Sequence, residues 1–396
     1  MKRTIKDLKA LRGKVVLLRV DFNVPLDENE NITDATRIIN EIPTINYLSE
    51  QGAKIVIISH LGRPEGFELR KSLWPVALYL MKNLKCNVSF CNTVLGDEAV
   101  ERIKALREGN VLLLENIRFY KEETQCDKKF SKKLASMADI FVDDAFGVAH
   151  RENASNYGVA RLLPNAVGFL VEQEIENLTK IIEEPKQPFV ALIGGAKVKS
   201  KVKILERFIE KADVILIGGA MAYTFLHAKG ENIGTSIYYP ESERDAKLIM
   251  EKAEMAGKKL LLPVDHLVVR DSDKKQKPFI VESMKGDMAG FDIGPKTMKL
   301  YAKELKNAGK IFWNGPMGLF EKEEYSQGTI AMAQAIASSK AFSVVGGGDT
   351  VSAVNKAGVA GRIGFISTGG GATLEYIEKG SLPALDIIQE RVKWKK

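Results

Sequence analysis

The sequence contains few cysteines and lacks long hydrophobic runs. Cys86, Cys91 and Cys126 form no CxxC pair and leave an odd number, which argues against a disulfide framework and against a zinc knuckle. No segment approaches the roughly 18 consecutive apolar residues of a transmembrane helix. The apolar run at 15–18 is too short for a signal peptide. We therefore expect a cytoplasmic protein that makes no membrane contact.

The usual nucleotide-binding motifs are also missing. There is no GxxxxGK[ST] motif, which excludes a Walker-type P-loop protein. No apolar run leads into GxGxxG with an acidic residue about twenty positions later, so a dinucleotide-dependent dehydrogenase has little support. The polar motifs offer neither a Ser-His-Asp set nor a pair of carboxylates.

The chain is long, rich in apolar residues and positively charged. Its 396 residues, 45% of them hydrophobic, suggest two domains rather than one. The net charge of +7 and the pI near 9.0 fit a nucleic-acid-binding protein or an enzyme with strongly anionic substrates. The RNA-binding alternative rests on this charge alone, because no interleaved aromatic platforms are evident.

Short apolar runs rich in Val, Ile and Leu alternate with longer amphipathic segments. Runs that are apolar at nearly every position suit parallel strands covered on both faces, and segments such as 131–139 and 326–340 are typical of crossover helices. The predicted fold is α/β, with two Rossmann-like three-layer domains built on mainly parallel, doubly wound sheets. The runs lie at 15–20, 54–59, 111–117, 140–146, 189–195, 214–219, 259–263, 311–316, 342–348 and 363–368.

The boundary between the two domains is predicted near 165–188. Leu170, Ile175 and Leu178 keep a helical spacing, and Pro185 and Pro188 should end the helix. We expect this helix to join the domains, although an internal helix of a single domain is the alternative. The predicted divisions are 1–168 for the first domain, 169–187 for the joining helix, 188–378 for the second domain and 379–396 for a C-terminal segment.

Cationic residues follow the apolar runs of the first half, where the ligands of open parallel sheets bind. Each one alone is most often a solvated or structural residue. Two cations about 4 Å apart repel by roughly 4 kcal/mol at an effective dielectric near 20, so a cluster of them favours a multiply charged anion. The arginine fork suits phosphate and carboxylate oxygens. Asp21 and Asn23 add groups that bind hydroxyls, or they only form a turn before Pro25. The cationic residues are Arg19, Arg37, His60, Arg63, Arg118, His150 and Arg151.

In the second half, glycine replaces arginine at the ends of the runs. Glycine lets backbone N–H groups approach a phosphate, and a helix that starts directly afterwards adds its positive end. We expect Lys197 and Lys201 to share one face of the helix after "IGGA" and to reach a polyphosphate. The alternative is two exposed lysines on an amphipathic helix.

The motifs that carry these residues are, in chain order, "LLRVDFNVP", "SHLGRP", "LENIRFY", "VDDAFGVAHR", "LIGGAKVKSK", "ILIGGAMAYTF", "FDIGPKT", "WNGPMGLFE", "VVGGGDT" and "STGGGA". With them the sequence closely resembles the phosphoglycerate kinase family from end to end. The resemblance implies that the first domain binds 3-phosphoglycerate or 1,3-bisphosphoglycerate. It also implies that the second domain binds ATP or ADP with Mg²⁺, and that the last helix returns to pack on the first domain.

The site residues implied by the resemblance are assigned motif by motif. The substrate-binding residues are Arg19, Asp21, Phe22, Asn23, Arg37, His60, Leu61, Gly62, Arg63, Arg118 and Arg151. The nucleotide-binding residues are Gly195, Lys197, Lys201, Gly219, Gly290, Asn314, Pro316, Glu321, Gly347, Gly348, Asp349 and Thr350. The catalytic residues are Arg37, Lys197, Gly370 and Gly371.

Two of these positions have a second interpretation, and one position departs from the family. Asp349 is predicted to hold Mg²⁺, with capping of the next helix as the alternative. Thr350 is predicted both to cap that helix and to contact a phosphate. Where many family members have a second histidine after the arginine of "AHR", this chain has Asn153, which leaves the pocket one ionisable group short.

The implied function is a reversible glycolytic or gluconeogenic phosphoryl transfer between 1,3-bisphosphoglycerate and MgADP, giving 3-phosphoglycerate and MgATP. Both acceptors, a carboxylate and a phosphate oxygen, are deprotonated at neutral pH, so no general base is required. We expect in-line transfer through positioning and charge neutralisation, on domain closure. We expect a monomer that binds these small molecules and no nucleic acid. The alternatives are another two-lobed α/β nucleotide-dependent transferase and a basic RNA-binding protein.

Overall fold

All the apolar runs named above contribute strands to two parallel sheets. The computed structural model describes residues 1–184, 187–271 and 277–391, and the chain forms two compact units. The first unit comprises Met1–Glu176 and the described residues from Ser381 onwards; the second comprises Asn177–Gly380. Two α/β units, each built on a six-stranded parallel sheet, confirm the predicted fold class.

The first unit is an α/β sandwich. Its helices are α1 (Thr36–Glu50), α2 (Trp74–Asn83), α3 (Asp97–Ala105), α4 (Lys121–Thr124), α5 (Lys128–Ala135) and the start of α6 (Phe169–Glu183). Its strands are β1 (Val15–Arg19), β2 (Lys54–Ile58), β3 (Val88–Cys91), β4 (Val111–Leu114), β5 (Ile140–Asp143) and β6 (Asn165–Val167). They form one sheet in the order β3-β4-β2-β1-β5-β6, with every neighbouring pair parallel.

Burial explains which of these strands the sequence predicts. Strands β1, β2 and β4 are apolar and buried on both faces, and α1 packs on the sheet through Ile38, Ile45 and Leu48. Strand β3 gives no continuous apolar run, because Ser89 is exposed, Val88 and Phe90 are only partly buried, and Cys91 alone in the strand is fully buried. Strand β6, with three residues at the sheet edge, is too short to give a pattern.

The second unit repeats this arrangement. Its described elements are β7 (Phe189–Ile193), α7 (Val202–Lys211), β8 (Val214–Ile217), α8 (Met221–Ala228), α9 (Glu243–Met255), β9 (Lys259–Leu261), β10 (His266–Arg270), β11 (Phe279–Val281), β12 (Met288–Ile293), α10 (Pro295–Lys306), β13 (Lys310–Asn314), α11 (Gln327–Ser338), β14 (Phe342–Gly346), α12 (Gly348–Lys356), β15 (Phe365–Ile366) and α13 (Gly371–Lys379). The parallel sheet has the order β15-β14-β13-β7-β8-β9.

A second, smaller sheet in this unit was not predicted from the sequence. Strands β11, β10 and β12 form an antiparallel sheet in that order, with a register shift at Leu267 and Val268. The side chains of β11 are partly or fully exposed, and only Ala289, Asp292 and Ile293 of β12 are buried. A strand without a continuous apolar run gives little signal, and Gly290 in β12 weakens the pattern further.

Helix α6 begins in the first unit and ends in the second. Pro185, which was predicted to end it, lies outside the described residues. Among the helices that the structure describes, none combines the length and the apolar character that a membrane span requires.

The chain returns to the first unit after α13. Of the described residues in the predicted last helix, which starts at Pro383, only Pro383–Asp386 are helical, as α14, in which Leu385 is buried. The Ala384 N–H donates to the Ala149 carbonyl (3.1 Å), and the Gln389 N–H donates to Asn165 Oδ1 (2.8 Å). These bonds hold the segment on the surface of the first unit.

Candidate active site

Strand register brings the predicted substrate residues of the first unit to one edge of its sheet. Arg19, the last residue of β1, lies opposite Ile58 of β2 and Asp143 of β5. Because the strands are parallel, the segments that follow them leave the sheet at the same edge. These segments contain most of the predicted substrate residues.

Arg19 is fully buried and is the structural centre of this edge. Its Nε donates to Ser155 Oγ (2.8 Å) and its Nη1 to the Val20 carbonyl. Ser155 in turn donates from Oγ to Glu123 Oε1 (2.6 Å), and its N–H donates to Glu123 Oε2 (2.8 Å). Burial raises the pKa of the Glu123 carboxyl, while the positive charge of Arg19 acts in the opposite direction. Ser155 therefore links the buried guanidinium to a buried carboxyl.

His60 is buried beside Arg19 and is held neutral. Arg19 Nη2 lies 3.3 Å from His60 Nδ1, which must accept because a guanidinium can only donate. Burial lowers the pKa of His60 well below its usual value, and the charges of Arg19, Arg118 and Arg37 lower it further, against the effect of Asp21. The ring proton therefore lies on Nε2, so His60 is a hydrogen-bond donor at neutral pH.

Asp21 is a buried carboxylate that pairs with Arg37. Arg37 Nη1 donates to Asp21 Oδ2, and the Asn23 N–H donates to Asp21 Oδ1 (3.2 Å). Burial acts to raise the pKa of Asp21, but the charges of Arg37 and Arg19, together with the hydrogen bond from the Asn23 N–H, outweigh burial and lower it. Asp21 is therefore ionised at neutral pH and compensates part of the surrounding positive charge.

Arg118 joins the same cluster through the loop after β2. Its Nη1 donates to the Gly62 carbonyl (2.8 Å), and the Gly62 N–H donates to Asn23 Oδ1 (2.8 Å). Arg118 Nε is buried and has no hydrogen-bond partner among the described residues. Burial, together with the charges of Arg19 and Arg151, lowers the pKa of Arg118 to about 10. The guanidinium remains charged at neutral pH, with a donor that a ligand oxygen can use.

The remaining predicted substrate residues differ in exposure. Phe22 and Leu61 are buried, and their N–H groups donate to Ser59 Oγ (2.9 Å) and Asn116 Oδ1 (3.3 Å), so both residues hold the loops in place. Arg63 follows Gly62 in the loop after β2 and is exposed. Arg151 is exposed, and its Nε donates to His150 Nε2 (3.1 Å).

Asn153, at the position that departs from the family, points into the protein. It is 4% exposed, and its Nδ2 has no hydrogen-bond partner among the described residues. Its backbone N–H donates to Asn156 Oδ1 (2.9 Å). The residue therefore presents an unused buried donor and no charge.

In the second unit, glycine turns interlock at the carboxyl edge of the parallel sheet. The Gly195 N–H donates to the Pro316 carbonyl (3.0 Å), and the Gly219 N–H donates to the Met317 carbonyl (2.9 Å). Gly219 has a φ of +67°, and a Cβ there would lie 2.5 Å from the nitrogen of Gly195. Only glycine fits this crossing, which brings three predicted nucleotide-binding residues together.

The predicted helix carrying Lys197 and Lys201 on one face is wrong. Helix α7 begins at Val202, so Lys197 lies in the preceding turn and Lys201 is at the N-cap. The helix starts late because the Lys197 carbonyl accepts from Ser200 Oγ (3.0 Å) and the Lys201 N–H donates to the Val198 carbonyl (2.7 Å), so the helical bond between Lys201 and Lys197 is not formed. Lys201 Nζ donates to Asn314 Oδ1, and burial lowers its pKa to about 8 against a smaller opposing effect of Asp349. Lys197 is exposed.

Asn314 ties the end of β13 to the glycine loop after β14. Its Nδ2 donates to the Gly346 carbonyl (2.6 Å), and Gly347, with a φ of +96°, is the N-cap of α12. The Gly315 N–H donates to Thr350 Oγ1 (2.7 Å), and Thr350 is buried. The predicted capping by Thr350 is therefore wrong, because its hydroxyl supports the neighbouring turn.

Asp349 does not cap α12 through its side chain either. It lies at the second position of the helix, after Gly348, and is exposed. Its carboxylate is close enough to act on the pKa of Lys201. The alternative interpretation of Asp349 as a capping residue is thus contradicted by the position of the N-cap.

The remaining nucleotide-binding and catalytic candidates lie in other parts of this unit. The Gly290 N–H in β12 donates to Ser236 Oγ (2.9 Å), and a Cβ on Gly290 would overlap the Tyr223 hydroxyl. Glu321 is exposed and Pro316 is partly buried. Gly370 is the N-cap of α13 and Gly371 its first residue, and a Cβ at either position would meet no other atom within 4 Å.

Several buried acidic residues beside the site were not singled out from the sequence. Glu123 and Glu41 lie in helices whose sequence gives no sign of their burial. Asp144 and Asp292 lie inside the quoted motifs "VDDAFGVAHR" and "FDIGPKT", which was the only available signal. Asp292 accepts from the Gly328 N–H (2.6 Å), and burial raises its pKa to about 7.

A parallel sheet that ends in buried arginines and another that ends in glycine turns are typical of a two-domain α/β phosphotransferase. The phosphoglycerate kinase family model matches residues 5–380. A phosphoglycerate kinase of Leptospira biflexa is 48% identical over 391 residues, which cover 98% of both chains. The solved phosphoglycerate kinase of Coxiella burnetii has a TM-score of 0.88 at 40% identity, covering 98% of this chain and 99% of its own. That of Pyrococcus horikoshii has a TM-score of 0.84 at 36% identity, covering 98% of both.

The chain belongs to the phosphoglycerate kinase family. Its reaction is therefore the glycolytic transfer of a phosphoryl group between 1,3-bisphosphoglycerate and ADP, and its substrates are small molecules that include the nucleotides ATP and ADP. The predicted membership, enzyme class and reaction are confirmed, and neither alternative is favoured.

Proposed function

We propose that the first unit is the phosphoglycerate-binding domain and that its cationic edge is the binding site. The supporting observation is the concentration of buried positive charge. Arg19 and Arg118 are both nearly inaccessible to solvent, and the carboxyl groups of Asp21, Glu123 and Asp143 lie close enough to act on this charge. A small phosphorylated carboxylate supplies the missing negative charge and matches the donors of arginine.

In this proposal, the exposed arginines complete the site around the ligand. Arg37, Arg63 and Arg151 each keep part of their guanidinium accessible. Arg118 Nε and the Nε2–H of His60 are the inner donors. Asn23 and Asp21 bind the hydroxyl of the glycerate. Phe22, Leu61 and Gly62 fix the loops that carry these groups.

We propose that the second unit binds the nucleotide at its glycine turns. Gly347 and Gly348 present backbone to the phosphates, and Gly195 and Gly219 shape the turns beside them. Helices α12 and α13 add the positive ends of helices. Lys201 supplies a cation held by Asn314. Gly290, Pro316 and Glu321 are assigned to the nucleoside, with Glu321 accepting from the ribose hydroxyls. Thr350 contributes indirectly: its hydroxyl accepts from the Gly315 N–H and so supports the turn after β13.

Mg²⁺ is proposed to enter with the nucleotide, held by the phosphates and by Asp349. The fit rests on the exposed carboxylate in the first turn of α12, directly after the glycine loop. Among the described residues, no group of three or more His, Cys, Asp and Glu side chains could hold a metal ion. One carboxylate together with phosphate oxygens is a usual way of binding this ion. The ion supplies charge neutralisation of the phosphates when bound.

For the chemistry, we propose in-line transfer without a general base. His60 is buried and neutral and its Nδ1 is already used, which leaves it the role of a donor. Arg37 and Lys197 are assigned to the charge of the transferring group, and the N–H groups of Gly370 and Gly371 assist them. The reaction includes the domain closure expected from the sequence, because both substrates must meet before transfer.

The experiment that tests the function is a coupled assay of ATP formation from 1,3-bisphosphoglycerate and MgADP with the purified protein. We expect turnover that requires both substrates. Binding of NAD or a sugar nucleotide in preference to ADP, without ATP formation, would contradict the proposal.

We also propose a monomeric protein of the cytoplasm. Cys86, Cys91 and Cys126 are all free thiols, as a reducing compartment maintains. Sedimentation equilibrium checks the first point, and fractionation of the source cells checks the second.

A further inference from the structure

The buried face of α1 contains a carboxyl group where the helical spacing calls for an apolar residue. Ile38, Ile45 and Leu48 lie on this face, and Glu41 lies among them with no exposed surface. Burying a carboxyl is costly unless it is hydrogen-bonded. The contacts of Glu41 therefore need an explanation that core packing does not supply.

Glu41 contacts the proposed substrate site on one side. The Asp21 N–H donates to Glu41 Oε1 at 3.4 Å, and the carboxylate of Asp21 pairs with Arg37. Glu41 thus supports the backbone of the residue that holds Arg37.

On its other side Glu41 contacts Asp144, the residue after β5. Neither Glu41 Oε2 nor Asp144 Oδ2 is reached by a donor group of the described residues. The two carboxyl groups lie close enough to interact directly, and two adjacent buried carboxyl groups that no donor reaches favour sharing one proton. Burial, followed by the charge of Asp144, raises the pKa of Glu41 well above its usual value, so Glu41 carries the proton.

Asp144 in turn holds the first turn of α6. The Val171 N–H donates to Asp144 Oδ1 (2.9 Å), and the Leu170 N–H is a second donor to this carboxyl. The Thr44 hydroxyl, on α1, accepts from the Phe169 N–H (2.9 Å). The same hydroxyl donates a hydrogen bond to the Asp144 carboxyl group. A Cβ on Gly168 would overlap the Asp144 carboxyl group. The N–H groups that α6 cannot satisfy itself are thus bound by side chains of the first unit.

We propose that Glu41 is a positioning residue, whose protonated carboxyl connects the Asp21 turn to Asp144 and thereby to the start of α6. The proposal rests on the proposed function, since Asp21 and Arg37 are assigned there to the substrate site. Helix α6 is the segment by which the chain passes from the first unit to the second. The connection therefore transmits the state of the substrate site to the joining helix.

The test compares Glu41→Gln with Glu41→Leu in steady-state assays with 3-phosphoglycerate and MgATP. Glutamine keeps a donor towards Asp144 and an acceptor for the Asp21 N–H, whereas leucine keeps only the volume. We expect the leucine variant to lose about tenfold in kcat with little change in KM for 3-phosphoglycerate, and the glutamine variant to retain most of the kcat. Equal loss in both variants, or no loss in the leucine variant, would overturn the proposal.

Ile45→Val is the matched control for loss of stability, because Ile45 is buried on the same face of α1, one turn away. This variant should keep the wild-type kcat. If it lost as much activity as Glu41→Leu, the effect would be one of packing and the proposal would be wrong.

A second measurement does not depend on activity or on the Leu variant folding well. Hydrogen–deuterium exchange of the segment at 168–172 is followed in the wild type, Glu41→Gln and Asp144→Asn with and without 3-phosphoglycerate. We expect the ligand to slow exchange in the wild type and in Glu41→Gln, and this protection to be reduced in Asp144→Asn. Unchanged protection in Asp144→Asn refutes the connection, whereas a wild type without ATP formation refutes the proposed function alone.

Discussion

The Arg37 guanidinium donates to Asp21 Oδ2, and the two partners differ sharply in exposure. The Asp21 side chain is 8% exposed, whereas that of Arg37 is 36% exposed. The buried carboxylate therefore fixes one side of the guanidinium and leaves other donors towards solvent. This is the arrangement that a preorganised donor for a reacting phosphoryl group requires.

Arg37→Ala should reduce kcat about a hundredfold or more, which is on the order of 3 kcal/mol, as for the loss of one transition-state donor. The coupled assay with both substrates at saturation measures the effect. Arg102→Ala is the control, because Arg102 forms a largely exposed ion pair with Glu98 on α3. Near wild-type turnover of Arg37→Ala would remove Arg37 from the reaction.

Lys197→Ala should cause a loss of similar size, about a hundredfold in kcat. The reason differs, because Lys197 is an exposed side chain in the turn before α7, with its Nζ 5.7 Å from the centroid of the Tyr239 ring, and is not fixed by a buried carboxylate as Arg37 is. Lys199→Ala is a close control, since Lys199 is exposed in the same turn. If both variants lost activity equally, the general charge of the turn would matter and not Lys197 itself.

The sequence predicted the two parallel sheets because their central strands are apolar on both faces, and that pattern depends on neighbouring residues alone. It misplaced the start of α7 because the Ser200 hydroxyl occupies the Lys197 carbonyl and the Lys201 N–H bonds to Val198, a local competition that the residue pattern does not reveal. It also gave no sign that Glu41 is buried, since the partner that makes this burial possible is Asp144. Motifs named the residues of the candidate site, but hydrogen bonds between distant segments determine their protonation and support.

Asp349→Asn should weaken MgADP binding and leave binding of metal-free ADP nearly unchanged. Removing the negative charge takes away a ligand for Mg²⁺, while the amide keeps the shape of the side chain. Isothermal titration calorimetry with and without Mg²⁺ measures the two affinities. Asp97→Asn is the control, because Asp97 also lies in the first turn of a helix. It measures how much stability is lost when a carboxylate no longer interacts with the helix dipole. An Asp349→Asn variant with wild-type MgADP affinity would exclude the metal role.

3-Phosphoglycerate should raise the melting temperature of the protein. Its negative charge relieves the repulsion among the buried arginines, and ligand at a hundred times its Kd stabilises the folded state by about 2.7 kcal/mol. Differential scanning fluorimetry at constant ionic strength measures the shift. Glycerate without phosphate is the control ligand and should act much more weakly. The absence of a shift with millimolar 3-phosphoglycerate would contradict the assignment of the cationic edge.

Lys201 should make nucleotide affinity depend on pH between about 7.5 and 9.5. Burial lowers the pKa of this lysine to about 8, so the ammonium is mostly charged at pH 7 and mostly neutral at pH 9. Only the charged form attracts a phosphate, and the affinity for ADP should therefore fall as the pH rises through 8. Fluorescence or calorimetric titrations with ADP across this range measure the change.

Lys201→Arg separates this lysine from other titrating groups. A guanidinium stays charged throughout the range, so the variant should bind ADP with an affinity that changes much less with pH, even if geometry lowers the affinity overall. Lys199→Arg should keep the wild-type profile. A fall in affinity of the same size and midpoint in Lys201→Arg would show that another group titrates, and the role of Lys201 as the nucleotide-binding cation would then be wrong.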